Sequence, residues 1–314
     1  MQRLFALALA APLLACQGAD LEEQVPVQPG GLLEVDLYMG EGLRPDQGWL
    51  EVRTHDASEV RIDANATGWG ASGVSFRLEH RGDVVRLYGR VSGAVSWLFG
   101  GPQMTVQIWV PQEYSVDLRS SAGPVRVEDV TGRIHVRAGD DRVEVHGARG
   151  DVRLRAGSGD VRVSEVQGDV DVRLGDGEIT LSWVRGNVEA RTGSGAIAAE
   201  HVSGTLTVAT GRGEIEVREL EGRCSARTER GHVFARFSGA PAGELETSRG
   251  DVRVELGDGA GAQLDARSRR GEVDLGDLPW RGERSPNAAR GSLGPGGAPL
   301  RLYTARGTVK VRSR

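Results

Sequence analysis

A chain of 314 residues is long enough to bury a substantial core, in one large domain or two smaller ones. Its 44 acidic residues against 39 basic ones give a net charge of -5, which argues against bulk affinity for nucleic acid. Glycine is abundant at 46 residues, and Lys310 is the single lysine, so arginine carries nearly all the positive charge.

The first residues, MQRLFALALAAPLLACQG, place Arg3 ahead of an apolar run from Leu4 to Leu14, too short to span a bilayer as a mature helix. The run ends in Leu13-Leu14-Ala15-Cys16, which resembles the lipobox of bacterial lipoprotein signal peptides. That resemblance implies a signal peptide over residues 1–15 and a lipidated mature N-terminus at Cys16. The alternative is an ordinary secretory peptide cut at a nearby Ala. Gln17 follows, where an Asp commonly signals inner-membrane retention, so the outer membrane is the expected destination. Cys224 is the only other cysteine, which leaves neither a disulfide framework nor a thiolate metal site.

Residues 16–31 are polar, with Pro26 and Pro29, and read as a tether. Residues 32–114 hold short alternating runs (LLEVDLY, WLEVRT, EVRIDA, GVSFRLEH, DVVRLYGRV, MTVQIWV) parted by Gly, Pro and Asp turns, and read as irregular β-structure.

From residue 115 the pattern becomes regular, with an eighteen-residue period whose coils begin at Pro124, Arg142, Asp160, Glu178, Ala196 and Glu214. The second place of each coil holds Val125, Val143, Val161, Ile179, Ile197 and Ile215, and the ninth is always glycine, from Gly132 to Gly222. Place eleven repeats the apolar column with Ile134, Val152, Val170, Val188, Leu206 and Cys224. A period this strict predicts an all-β solenoid, a single-stranded parallel β-helix over residues 115–314. Equivalent places should stack about 4.8 Å apart, with alternate residues turned inward and glycine at the corners. Each buried Val or Ile contributes about 1.5–3 kcal/mol against the ordering cost. Cys224 falls in an inward column and reads as a buried apolar residue. After His232 the loops lengthen, as in GAPAGEL and GDGAGAQL, and residues 279–299 read as a Gly/Pro-rich loop before the pattern recovers at LRLYTARGTVKV.

The segment VPQEYSVDLRSSAGPVRVEDVTGRIHVRAG, with its Val110-Pro111 step and the many xVxV-x-x-V-x-G units that follow, resembles a bacterial family of candidate adhesins, β-strand-repeat domains of unknown function. The resemblance runs from Leu32 to the C-terminus and implies a right-handed coil on a cell-surface or envelope protein. It carries no catalytic residues, and a fold of this kind does not by itself fix a function.

The chemical motifs divide cleanly. A phosphate loop needs Gly-Lys-Ser/Thr, whereas Lys310 lies in a strand, and Gly157-Ser158-Gly159 opens a strand rather than the helix a dinucleotide site requires. A calcium ladder needs an Asp in every half-turn, but place one holds Pro124, Arg142, Asp160, Glu178, Ala196, Glu214 and His232. Isolated ions near Asp160, Asp176 or Asp258 compete with solvated corner carboxylates. Asp169, Asp171 and Glu189 form a surface carboxylate group of the kind that glycan-cleaving β-helices use, but the same column carries His135, Arg153, Thr207 and Ser225. The six histidines occupy unrelated places, which supports no metal or acid–base centre.

One outward column stands apart. Place fourteen holds Arg119, Arg137, Arg155, Arg173, Arg191, Ala209 and Arg227, a ladder of like charges that needs interleaved carboxylates or a bound polyanion. It is the candidate contact for an envelope polyanion, against the plainer reading of a solvated face. Trp183 should lie near the surface, and the apolar loop AVSWLFGGP, with Trp97 and Phe99, could cap an open end of the stack. The expectation is a non-catalytic envelope lipoprotein that binds or scaffolds at the surface. It would need no cofactor and no nucleic acid, and its partners would be the membrane and an envelope polysaccharide or protein. The alternatives are a polysaccharide-acting enzyme and a purely structural or stress-related component.

Overall fold

In the computed structural model, residues 20–38, 48–91, 102–121, 123–257 and 259–313 are described. They form two facing sheets of 14 and 15 strands, almost all parallel within the body. Each eighteen-residue coil gives one strand to each sheet. Val161–Gln167 lies in the first and Val170–Asp176 in the second, and the next coil repeats the pair as Ile179–Arg185 and Val188–Ser194. The register follows the sequence period: Val143 pairs with Val161 and Val161 with Ile179, while Ile134, Val152 and Val170 are stacked neighbours. The inward columns are buried, including Cys224 at 0% exposure. The expected all-β solenoid is what the chain forms, as two broad sheets joined at tight corners.

The corners are built from close backbone approach. A Cβ on Gly168 would lie 2.4 Å from the carbonyl oxygen of Gly150 one coil below, and one on Gly195 would lie 2.0 Å from Gly177 O. Both glycines also take left-handed φ values, 154° and 123°, which a side chain disfavours.

A second device seals the Gly195 column of corners. Thr192, Thr210, Thr228, Thr247, Thr304 and Ser268 are buried in a largely apolar core. Each hydroxyl donates to a corner glycine carbonyl, from Thr192 to Gly177 O through Thr304 to Gly250 O, at 2.8–3.2 Å. On the opposite corner Asp151, Asp169 and Asn187 each accept the backbone N–H of the residue one coil above, at 3.2, 2.8 and 3.2 Å. The polar groups at these corners thus have partners in a neighbouring coil, as burial demands.

A third column is unusual. Asp129, Glu165, Trp183, His201 and Glu219 all have φ between 52° and 60°, and Gly147 holds the same place at φ 71°. All six occupy place six, where each strand of the first sheet turns before its last inward residue.

The ends depart from a simple winding. Asp20–Pro26, within the stretch read as a tether, is a strand that pairs antiparallel with Glu59–Thr67, burying Leu21 and Val25. Its alternation is masked in the sequence by Glu23 between those two apolar residues. The strands Leu32–Tyr38 and Gly48–His55 sit one slot inward, between the strands Val84–Val91 and Gln103–Pro111 and the body that starts at Ser115. At the other end Pro299–Ser313 is likewise clasped between Ala242–Leu256 and Ala262–Asp274. Residues 279–299, read as a loop, contain the antiparallel strands Trp280–Ser285 and Ala288–Leu293, which cover the last parallel strand of the second sheet. Antiparallel strands close both edges of the second sheet and the N-terminal edge of the first, and the outermost, carrying Arg281, Glu283 and Arg284 exposed, guards an edge that would otherwise pair with another chain.

Two substitutions test the corners. Gly195→Ala should destabilise the fold by about 3 kcal/mol or prevent folding, because backbone cannot retreat. Gly30→Ala, at φ 86° with open space around it, should cost only about 1 kcal/mol. Thermal unfolding followed by circular dichroism compares them. Thr210→Val should cost about 1–2 kcal/mol by leaving Gly195 O without its hydroxyl donor, whereas Thr210→Ser stays close to the native midpoint.

Candidate functional site

Strand alternation decides what the second sheet shows to solvent. On strands such as Val152–Ser158 and Val170–Asp176 the inward residues are Val152, Leu154, Val170 and Val172, so Arg153, Arg155, Asp171 and Arg173 face outward. The stacking register brings Arg119, Arg137, Arg155, Arg173 and Arg191 into one column, with Ala209 and then Arg227 beyond. Asp36 precedes Arg119 in that column and Glu246 follows Arg227, so a carboxylate stands at each end of the ladder.

The parallel column beside it supplies the counter-charges. Asp117 lies 3.8 Å from Arg119 and 3.7 Å from Arg137. Asp171 is 3.4 Å from Arg173, and Glu189 is 2.9 Å from Arg191 and 4.0 Å from Arg173. Arg227 reaches Glu246 at 2.5 Å. Exposed pairs of this kind contribute little to stability, but they cancel the repulsion that a bare arginine column would create.

The cancellation fails at one rung. Arg153 and Arg155 face outward on the same strand, and among the described residues neither has an ion-pair partner. His135 and Arg137 flank them on the coil below. The His135 imidazole is held below its ordinary pKa, chiefly by burial, with the Arg137 and Arg155 charges adding to the effect against Asp117. It is therefore neutral near pH 7, and the local excess of charge comes from the guanidinium groups.

The carboxylates that suggested glycan cleavage are engaged otherwise. Asp169 accepts the Asn187 backbone and side-chain N–H groups at 2.8 and 3.2 Å, while Asp171 and Glu189 pair with arginine. Asp160 accepts the Glu178 N–H at 3.2 Å, and Asp176 accepts the Ser194 hydroxyl. Among the described residues no three His, Cys, Asp or Glu side chains converge as metal ligands.

Trp183 is exposed, as its place in the repeat predicts, at 57%. Cys16, residues 1–15, Trp97, Phe99 and Asp258 lie outside the described residues. Among the described residues no helix is long and apolar enough to cross a membrane. The period gave no warning of the left-handed column at place six; its one signal was Gly147 standing among Asp, Glu, Trp and His.

Cys224 is wholly buried, and desolvation pushes its thiol up to about 12. At pH 8 it should resist iodoacetamide in the folded protein and become labelled in urea, with peptide mass spectrometry reading the site. Labelling of Cys224 without unfolding would contradict the inward column.

A family model described as Toastrack DUF4097 matches residues 51–312. No curated protein matches the chain. Among solved structures, a candidate cell adhesion protein from Clostridium sporogenes is similar at 12% identity, over 94% of this chain and 100% of that one, with a TM-score of 0.25. A candidate lipid binding protein from Parabacteroides distasonis is similar at 10% identity, over 94% and 98% of the two chains, with a TM-score of 0.42. A candidate adhesin from Bacteroides fragilis is similar at 10% identity, over 93% and 97%, with a TM-score of 0.33. At identities and scores this low, the three likenesses carry no argument about function.

Proposed function

The chain belongs to the Toastrack DUF4097 family, and on that premise we propose that it is a non-catalytic binding module of the bacterial envelope. In this reading a lipid on Cys16 tethers it to the outer membrane, and the outer face of the second sheet meets an envelope polyanion, a phosphate- or carboxylate-bearing glycan. The observation that carries the reading is the uncompensated rung at Arg153 and Arg155 within an otherwise neutralised ladder.

Two guanidinium groups on one strand, with Arg137 and Arg173 one rung away on either side, offer several planar donors to an anionic group. The rigid stack fixes the spacing of their backbone positions, so no backbone ordering is needed on contact. The flanking carboxylates confine the attraction to the central coils. The contact is therefore local, modest in affinity and strongly screened by salt.

The test uses the full chain and purified lipopolysaccharide or an acidic envelope polysaccharide, in about 50 and 200 mM salt. Arg153→Glu with Arg155→Glu should weaken binding at least about tenfold, and the higher salt should weaken the native protein similarly. Binding that ignores both salt and the double substitution overturns the polyanion contact. Release of reducing ends from the polysaccharide overturns the non-catalytic reading.

A further inference from the structure

The left-handed column at place six forms one wall of a surface groove of about 880 Å³ that runs along the first sheet. The groove crosses six rungs from Asp129 to Glu219, five steps or about 24 Å at strand spacing. It lies away from the arginine ladder, which belongs to the second sheet.

Two features of this wall work against stability. A non-glycine residue at φ near 55° is strained, which Gly147 avoids at the equivalent place. Trp183 adds to that the exposure of a large apolar ring. The indole stacks on His201, with ring centroids 3.9 Å apart and planes 9° from parallel, and both rings border the groove. His201 covers one face of the indole. Its other face has no ring or cation partner among the described residues. An exposed indole on a strained backbone position, lining a cleft, is a candidate ligand contact.

The chemistry of the lining selects the ligand. Glu165, Glu219 and Glu221 stand against Arg149 and Arg185, and Gln167 and Ser203 lie between them. Such a surface repels a polyanion and offers planar, two-pronged hydrogen-bonding groups on every rung but that of His201 and Ser203. Neighbouring hydroxyls of a sugar ring fit those groups, and the apolar C–H face of a pyranose fits an indole. The rung spacing is also close to the length of one sugar residue in an extended β-linked chain. We propose that this groove binds a neutral glycan lengthwise, with one pyranose seated against the exposed indole of Trp183, which His201 braces on one face.

The test is calorimetry of the full chain with cellohexaose, maltohexaose and chitohexaose. At least one should bind with Kd of about 1 mM or tighter. Trp183→Gly should weaken that binding at least about tenfold while leaving the thermal midpoint unchanged or raised, because Gly147 already makes this bend. Arg153→Glu with Arg155→Glu should leave it unaltered, which separates this site from the polyanion contact. The proposal is overturned if none of the three hexaoses binds, if Trp183→Gly binds as the native chain does, or if choline displaces the hexaose, marking the indole as a cation site instead.

Discussion

The structure depends on how closely one coil can lie on the next at its corners. At Gly168 and Gly195 the backbone above rests against a carbonyl of the coil below, with no room for a Cβ. This contact fixes the axial spacing at the turns as firmly as hydrogen bonds fix it along the strands. With both spacings equal, equivalent residues are brought into line, and every outward or inward place becomes a column. The buried hydroxyls of Thr192, Thr210 and Thr228 follow from the same constraint, since a carbonyl pressed into a dry corner needs a donor.

Columns create a difficulty for any charged residue, because like must stand above like. The second sheet resolves it by running carboxylates beside arginines, as Asp117 does between Arg119 and Arg137. Where the carboxylate is missing, at Arg153 and Arg155, the surface acquires a local identity that the repeat alone would not give it. The first sheet acquires its own at Trp183 and His201. In both cases specificity comes from a departure within a column, while the column supplies position.

The inward pattern was legible because Val, Ile and Leu recur at fixed places and tolerate little else in a parallel core. Period also located Arg119 to Arg227 on one face before any coordinates. It did not reveal stacking order at the ends, since a repeat says which residues point inward but not which coil lies above which. The Trp280–Ser285 strand escaped notice because its residues are mostly exposed and its Gly282 and flanking prolines mimic a loop. The ion pairs around the ladder depend on side-chain reach between two columns, which spacing alone leaves open. Left-handed backbone at Glu165 and Trp183 was hidden because neither residue type advertises it.

The inserted coils have a mechanical consequence. Val309–Ser313 is bonded on one side to Val252–Leu256 and on the other to Val273–Asp274, with Arg312 also tied to Asp274. A load applied near residue 313 therefore cannot peel an outer layer from the stack; it must shear two ladders together. Asp20–Pro26, by contrast, is held along one side only and would unzip rung by rung under tension. The molecule is a tie with one compliant end and one stiff end.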